Sequence, residues 1–277
     1  MSHKTIQYAS DLHLDHFPGL TAHEFETFLY PSAPILVLAG DIASAWHPIY
    51  SMFLTWCSKH WRQVILVAGN HEYHCEPTRP QSRLDTDRHI KAICWKHSNL
   101  HFLQNGATFY LPKTNLVFLG ATLYSAIHPA IHDEIIHKSD FRNSYNESLR
   151  PNTPADFVRL HAQQKQALSD AIRSVNRGYK VIVITHYMPT EDLLEPEYVT
   201  DAWRSCYASK DDDLLRPPVC LWICGHSHRQ TLYRTRRGIQ LAMNARGYNK
   251  PQELDRIHDR YSPYGRVILK VLPAKPT

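Results

Sequence analysis

Five short apolar runs, rich in Val and Ile and each broken off by a polar residue, constrain this chain more than any other feature of its sequence. Residues 5–10 (TIQYAS) stop at Asp11, 35–39 (ILVLA) at Gly40-Asp41, and 64–68 (VILVA) at Gly69-Asn70-His71. Residues 181–185 (VIVIT) stop at His186, and 221–224 (LWIC) at Gly225-His226. Such runs lack the in–out alternation of a half-exposed strand, so they read as strands buried on both faces of a sheet. Between them lie stretches with apolar residues at helical spacing. Residues 47–60 carry Ile49, Phe53, Leu54 and Cys57, and residues 83–97 carry Leu84, Ile90, Ile93 and Cys94. Residues 154–176 carry Phe157, Leu160, Ala167, Leu168, Ile172 and Val175, with Thr153 placed to cap the helix and Pro154 at its first position. Strand alternating with helix predicts an α/β architecture. Residues 99–123 differ: two or three strands with turn residues at Asn105-Gly106 and Lys113-Thr114-Asn115 predict a hairpin region. Residues 230–271 predict three more short strands around Arg237-Gly238. Two long polar stretches, 125–153 and 188–218, read as loop insertions in a single domain spanning 1–277.

Composition agrees with a packed enzyme-sized domain. With 43% hydrophobic and 21% charged residues in 277, the chain buries a sizeable core and is not of the disordered class. A net charge of +5 suits an anionic substrate. The densest basic group, Arg234, Arg236 and Arg237, is too sparse for a nucleic-acid tail, so nucleic acid is a weak partner expectation though not an excluded one. The N-terminus has no apolar run of signal-peptide length, and no segment is apolar enough to span a bilayer. Six cysteines are scattered without a CxxC pair, which argues against a zinc ribbon or disulfide scaffold. A cytoplasmic location is the expectation. Histidine is abundant, at 19 residues, and histidine is both a metal ligand and a proton carrier.

The residues that end the apolar runs carry the chemistry. They are Asp11 and His13, Asp41, Asn70 with His71 and Glu72, His186, and His226 with His228. Ligands of open α/β sheets bind beyond the carboxyl ends of the strands, so these side chains can converge. Asp, Asn and His offer oxygen and imidazole nitrogen without thiolate, a set suited to Mn²⁺, Fe, Zn²⁺ or Co²⁺. Taken singly, an Asp-x-His or Gly-Asp is an ordinary polar turn or helix cap. The five together, in order and each after an apolar run, are not coincidence.

This ordered set resembles the calcineurin-like metallophosphoesterase superfamily, whose pattern is D-x-H, G-D, G-N-H-[DE], a separated H, and G-H-x-H. The chain carries DLH from Asp11, GD from Gly40, GNHE from Gly69, His186, and GHSH from Gly225. The resemblance implies a four-layer αββα sandwich of two mixed β-sheets flanked by helices. It also implies two divalent metal ions, Mn foremost, with Fe, Zn, Co or Ni as alternatives. One ion would take Asp11, His13, Asp41 and His228. The other would take Asp41, Asn70, His186 and His226, with Asp41 bridging through its two oxygens. A metal-bridging hydroxide would attack phosphorus in line, and His71 would donate a proton to the leaving oxygen or stabilise charge on the phosphoryl group. Glu72 would orient a histidine, or simply be an acid at a helix start.

Departures from subfamily patterns narrow the activity. Protein phosphatases of this superfamily carry an Arg soon after G-D, whereas Asp41 is followed by Ile-Ala-Ser-Ala-Trp-His. Lipid-A-pathway pyrophosphatases carry Arg where this chain has His71. Class III cyclic nucleotide phosphodiesterases share the motifs. The DNA-repair nucleases that share them belong to longer chains. The expected function is a phosphodiesterase acting on a small phosphate ester or nucleotide. The alternative is a phosphomonoesterase gripping its substrate through Arg142 or Arg229; a nuclease and a non-catalytic protein-binding scaffold rank below both. Asp15 and His16 are minor candidates for contact with substrate, and Arg142 and Asn143 fair ones. His74 is expected on the surface. Tyr187 is read as core at least as readily as pocket wall. The acid- and histidine-rich loop with His128, His132, His137 and Asp140 is expected to be solvated, and Cys220 and Cys224 to be small core residues.

Overall fold

The computed structural model describes residues 2–195, 202–248 and 261–271. Alternate residues of its buried strands go to different layers, and this sorting builds the architecture. In β2 (Ile35–Ala39), Ile35, Val37 and Ala39 join one cluster while Leu36 and Leu38 join another. In β3 (Gln63–Val67), Ile65 and Val67 part from Val64 and Leu66 in the same way. In β7 (Lys180–Thr185) and β8 (Val219–Cys224), Ile182, Ile184, Leu221 and Ile223 face the shared cluster, while Val181, Val183, Trp222 and Cys224 face a third. A continuous apolar run is therefore two apolar faces, one against the other sheet and one against helices.

One sheet has the order β11-β1-β2-β3-β4, with β1 (Ser2–Ala9), β4 (Leu100–Phe102) and β11 (Arg266–Val271) completing it. The other has the order β5-β6-β7-β8-β10-β9, with β5 (Ala107–Tyr110), β6 (Leu116–Ala121), β9 (Gln230–Arg234) and β10 (Gln240–Asn244). Both are mixed: β11 is antiparallel to β1, β5 to β6 and β9 to β10, and the remaining pairs are parallel. Helices α2 (Pro48–His60) and α3 (Arg83–Trp95) cover the outer face of the first sheet through Phe53, Leu54, Cys57, Ile90 and Ile93. Helix α6 (Pro154–Ser174) lays Leu168 and Ile172 on the second. This is the expected αββα sandwich. The helix caps are the expected ones too: Thr153 and Asp156 form a capping box ahead of Pro154. Shorter helices are α1 (Phe25–Phe28), α4 (His132–Ile135) and α5 (Ser139–Arg142), the last two within the 125–153 insertion.

Two strand expectations need correction. Only β5 and β6 form a hairpin in the 99–123 region; β4 pairs in parallel with β3 in the other sheet. Asn105 and Gly106, at φ 54° and 77°, still make a tight turn closed by Ala107 N–H to Gln104 O at 3.0 Å, but that turn carries the chain between sheets. Strand β1 starts earlier than its apolar run because β11 pairs along it from Ser2 to Gln7.

Candidate metal centre

The parallel strands of both sheets end on the same side, and the turns that follow them deliver the polar residues. β1 leads to Asp11 and His13, β2 to Asp41, β3 to Asn70 and His71, β7 to His186, and β8 to His226 and His228. Asp11, His13, Asp41, His226 and His228 have φ of 53°, 45°, 54°, 72° and 53°. Such left-handed non-glycine residues cost about 1–3 kcal/mol each and gather at functional sites. Gly40 (φ 84°) makes the crossing of these turns possible: a Cβ there would lie 2.5 Å from Gly69 N and 2.7 Å from His186 Nδ1.

The side chains fall into two sets. In the first, His13 Nε2 lies 3.2 Å from His228 Nε2, which is 3.6 Å from Asp11 Oδ1. In the second, Asn70 Oδ1 lies 2.9 Å from His186 Nε2 and 3.1 Å from His226 Nδ1, and those two nitrogens are 3.2 Å apart. Asp41 Oδ2 is 3.3 Å from His186 Nε2 and 4.0 Å from His13 Nε2, so it is the oxygen in reach of both sets. Asp41 Oδ1 instead accepts the His71 N–H at 2.8 Å. Asp41 would hold a bridging position between two cations chiefly through Oδ2, since Oδ1 is engaged by the His71 N–H.

The tautomers show that this donor set fits a cation. His186 Nδ1 faces the Ala39 carbonyl at 2.8 Å and His226 Nε2 faces the Cys206 carbonyl at 3.2 Å. A carbonyl only accepts, so both nitrogens donate, and each neutral ring turns its lone pair toward the other. Two lone pairs 3.2 Å apart repel unless a proton or metal ion lies at the same focus. Without metal, the proton is held by His186. Burial opposes its charge, but the Asp41 and Asp11 carboxylates outweigh burial and hold its pKa at about 10. Burial and the charged His186 push His226 down to about 3. Burial also lowers His71 to about 4. Asp41 stays well below the usual carboxylate range despite its burial, because His186 and His71 surround it.

Supporting groups surround the two sets. The Glu72 carboxylate accepts backbone N–H groups of Asp41 (2.8 Å), Ile42 (2.7 Å) and Gly69 (2.6 Å). It therefore fastens the turns after β2 and β3 together and makes no hydrogen bond to a histidine side chain among the described residues. Burial and the Asp41 carboxylate push its pKa up to about 8, against these donors. Asp140 Oδ1 accepts from Asn70 Nδ2 at 2.9 Å and pairs with His74 Nε2 at 3.0 Å. That fixes the amide so that Asn70 Oδ1 turns to the two histidines. His71 Nε2 pairs with Tyr248 Oη at 2.8 Å, and the Tyr248 ring stacks on His13 at 4.2 Å. Backbone bonds from Arg246 N–H to Ser10 O and from Gly247 N–H to Asp11 O hold the Tyr248 segment against the first motif.

A cleft of about 360 Å³ opens on this cluster. Asp41, Asn70, His71, His226 and His228 line it on one side, and residues of both insertions on the other.

A calcineurin-like phosphoesterase family model matches residues 5–230. The chain belongs to the calcineurin-like phosphoesterase family. No individually curated protein sequence matches it. Among solved structures it is similar to a phosphopantetheinyl hydrolase from Mycobacterium tuberculosis, with TM-score 0.67 and 20% identity over 95% of both chains. It is also similar to the protein TT1561 of Thermus thermophilus, with TM-score 0.53 and 13% identity over 88% of this chain and 90% of that one. A putative 5'-nucleotidase from Staphylococcus aureus aligns with TM-score 0.52 and 14% identity, over 98% of this chain and 54% of the other. These likenesses are of fold.

The family motifs thus converge, and the surrounding candidates divide. Tyr187 lines the cleft while buried, its ring 4.0 Å from that of His226. His74 is not a free surface residue; its ring packs on His71 at 4.3 Å. Asp140 is drawn in from a loop expected to be solvated, whereas His128, His132 and His137 join no potential ligand cluster among the described residues. Asp15 accepts from Ser44 N–H at 3.0 Å and so braces a turn, and His16 sits at the rim, 5.3 Å from the Tyr248 ring. Arg142 is exposed and off the cleft wall, as is the half-buried Asn143. Arg229 is committed to the Leu193 and Leu194 carbonyls. Cys220 and Cys224 are unpaired core residues. Sequence reading missed Tyr248, Arg246 and the anchoring role of Asp140. None belongs to a motif, and only tertiary bonds bring them to the site.

Proposed function

We propose that the chain is a metal-dependent phosphodiesterase acting on a small phosphate ester or nucleotide. The observation that carries this is Asp41 Oδ2, within reach of two donor sets, in the second of which the His186 and His226 nitrogens turn toward a common point. We assign Asp11, His13, Asp41 and His228 to one divalent cation, and Asp41, Asn70, His186 and His226 to a second, with Mn²⁺ the expected ion. Two such cations supply Lewis-acid polarisation of the phosphate and a source of hydroxide at neutral pH.

The chain's own residues do the rest. The backbone turns hold the donors, and Asp140 keeps Asn70 facing inward. His71 stands beside His13 and Asp41, its Nε2 already in a hydrogen bond with Tyr248. We assign it the proton delivered to the leaving oxygen. Neutral His71 would draw that proton through Tyr248 or water. A diester is favoured because Ile42 and Ala43, which follow the Gly-Asp motif, are buried apolar residues and offer no grip for a dianion. A phosphomonoesterase is the second reading. It is favoured by Arg246 on the cleft wall, its guanidinium held 4.6 and 4.8 Å over Phe17 and Phe28. Six cysteines scattered without a CxxC pair suit a reducing compartment such as the cytoplasm.

The test is a paired rate measurement on protein stripped and reloaded with Mn²⁺, using bis-p-nitrophenyl phosphate and p-nitrophenyl phosphate. Faster diester turnover, lost in Asp41→Asn, is expected. Preference for the monoester moves the assignment to the phosphatase reading. Turnover of both esters that survives Asp41→Asn overturns the site.

A further inference from the structure

The cleft is larger than the reaction needs. At about 360 Å³ it is several times the size of a phosphate group and falls in the range of pockets that hold drug-sized ligands. The ligand cluster forms one side only. The other side comes from both insertions: Ile135, Lys138 and Phe141 from the first, Trp203 and Tyr207 from the second. This wall begins at the cluster itself, with the Tyr207 ring 5.6 Å from that of His226. It continues to Trp203, whose ring carries the Lys138 ammonium at 4.9 Å. Ile135 and Phe141 are 1% and 4% exposed, so they back this wall as packed core, and the surface it presents to the cleft is that of the half-buried Trp203 and Tyr207. Phosphate and water need polar partners. An apolar, aromatic wall continuous with a phosphate site is useful only to the rest of a substrate.

The geometry points to a specificity region in which Trp203 and Tyr207, backed by Ile135 and Phe141, bind a bulky, mainly apolar arm of the phosphodiester. The assignment rests on the phosphodiesterase reading for the position of the phosphorus. The scissile ester lies at the histidine cluster and the non-leaving arm lies along the wall. The Lys138–Trp203 pair lies on the same cleft, where the ammonium can meet a polar terminus on the arm.

The experiment fixes the leaving group and varies the other arm. Methyl, n-hexyl, phenyl and thymidine-5' p-nitrophenyl phosphates are compared on the Mn²⁺-loaded protein. kcat/KM is expected to rise at least about tenfold from methyl to hexyl or phenyl, mainly through KM. Trp203→Ala and Tyr207→Ala, each checked for an unchanged far-UV spectrum, should collapse that ratio toward one. Equal kcat/KM for methyl and hexyl overturns the proposal, as does a thymidine ester preferred over both apolar ones. Calorimetric binding of phenylphosphonate and methylphosphonate separates this from failure of the catalytic reading, since it needs no turnover. If no diester is hydrolysed, tighter binding of phenylphosphonate still supports the apolar region, and equal binding sinks it.

Discussion

His186 keeps a proton at neutral pH because the Asp41 and Asp11 carboxylates outweigh its burial. A cation entering the second set takes the place of that proton, so loading releases it. Below a pKa of about 10 the proton competes with the metal, and apparent affinity rises with pH. The slope is about tenfold per unit for one displaced proton. Mn²⁺ titrations between mildly acidic and mildly alkaline pH, in buffers of different ionisation enthalpy, would read both effects; a flat profile contradicts them. Asp140→Asn should leave the chain folded yet weaken metal binding by about 10–100-fold, as loss of an outer hydrogen-bond partner does elsewhere. Calorimetry on the variant checks this, and restored affinity in Asp140→Glu would mark the role as positional. His71→Ala should cost about 10²–10⁴-fold with a poorly departing alkoxide and far less with p-nitrophenolate, which leaves without a proton. Equal losses for both leaving groups would remove the proton from His71. The candidate ligand residues were legible as a group because their types and order recur after every apolar run. Tyr248 and Asp140 were not, because a tyrosine or aspartate in a polar stretch acquires its role only when the chain turns it inward.

At the scale of elements, the turns after β1, β2 and β3 are held against each other with little room. Gly40→Ala would drive a Cβ into Gly69 and His186 at a φ that favours glycine, so a loss of at least about 1–3 kcal/mol is expected. The urea midpoint reads it. An unchanged midpoint would mean that these turns yield easily. The long helices and buried strands follow from periodicity: Phe157, Leu160, Gln164, Leu168 and Ile172 form one buried stripe along α6. What periodicity does not carry is sheet membership. β4 and β5 are separated by four residues, and the tight turn at Asn105-Gly106 would serve a hairpin equally well. Parallel pairing of β4 with β3, and of β6 with β7, decides the matter through contacts distant in sequence.

Over the whole molecule, the candidate cation sites join the two sheets. Asp41 and Asn70 follow strands of one sheet, and His186 and His226 follow strands of the other. Metal bound there fastens both halves of the sandwich, and a ligand at 100 times its Kd adds about 2.7 kcal/mol of stability. Mn²⁺ should therefore raise the unfolding temperature, EDTA should reverse the rise, and Asp41→Asn should abolish it. No helix among the described residues is long and apolar enough to cross a membrane.

The long segments 125–153 and 188–218 also touch candidate ligands. The first reaches in with Asp140 to hold Asn70, and the second with the Cys206 carbonyl to hold His226. Under the assignments proposed above, specificity and metal occupancy would be inherited together. A lineage that exchanged either segment for a new substrate would lose a ligand's anchor along with the old wall, unless the replacement brought an anchor of its own. New specificities in this scaffold should arise by substitution within the two segments sooner than by replacement of them.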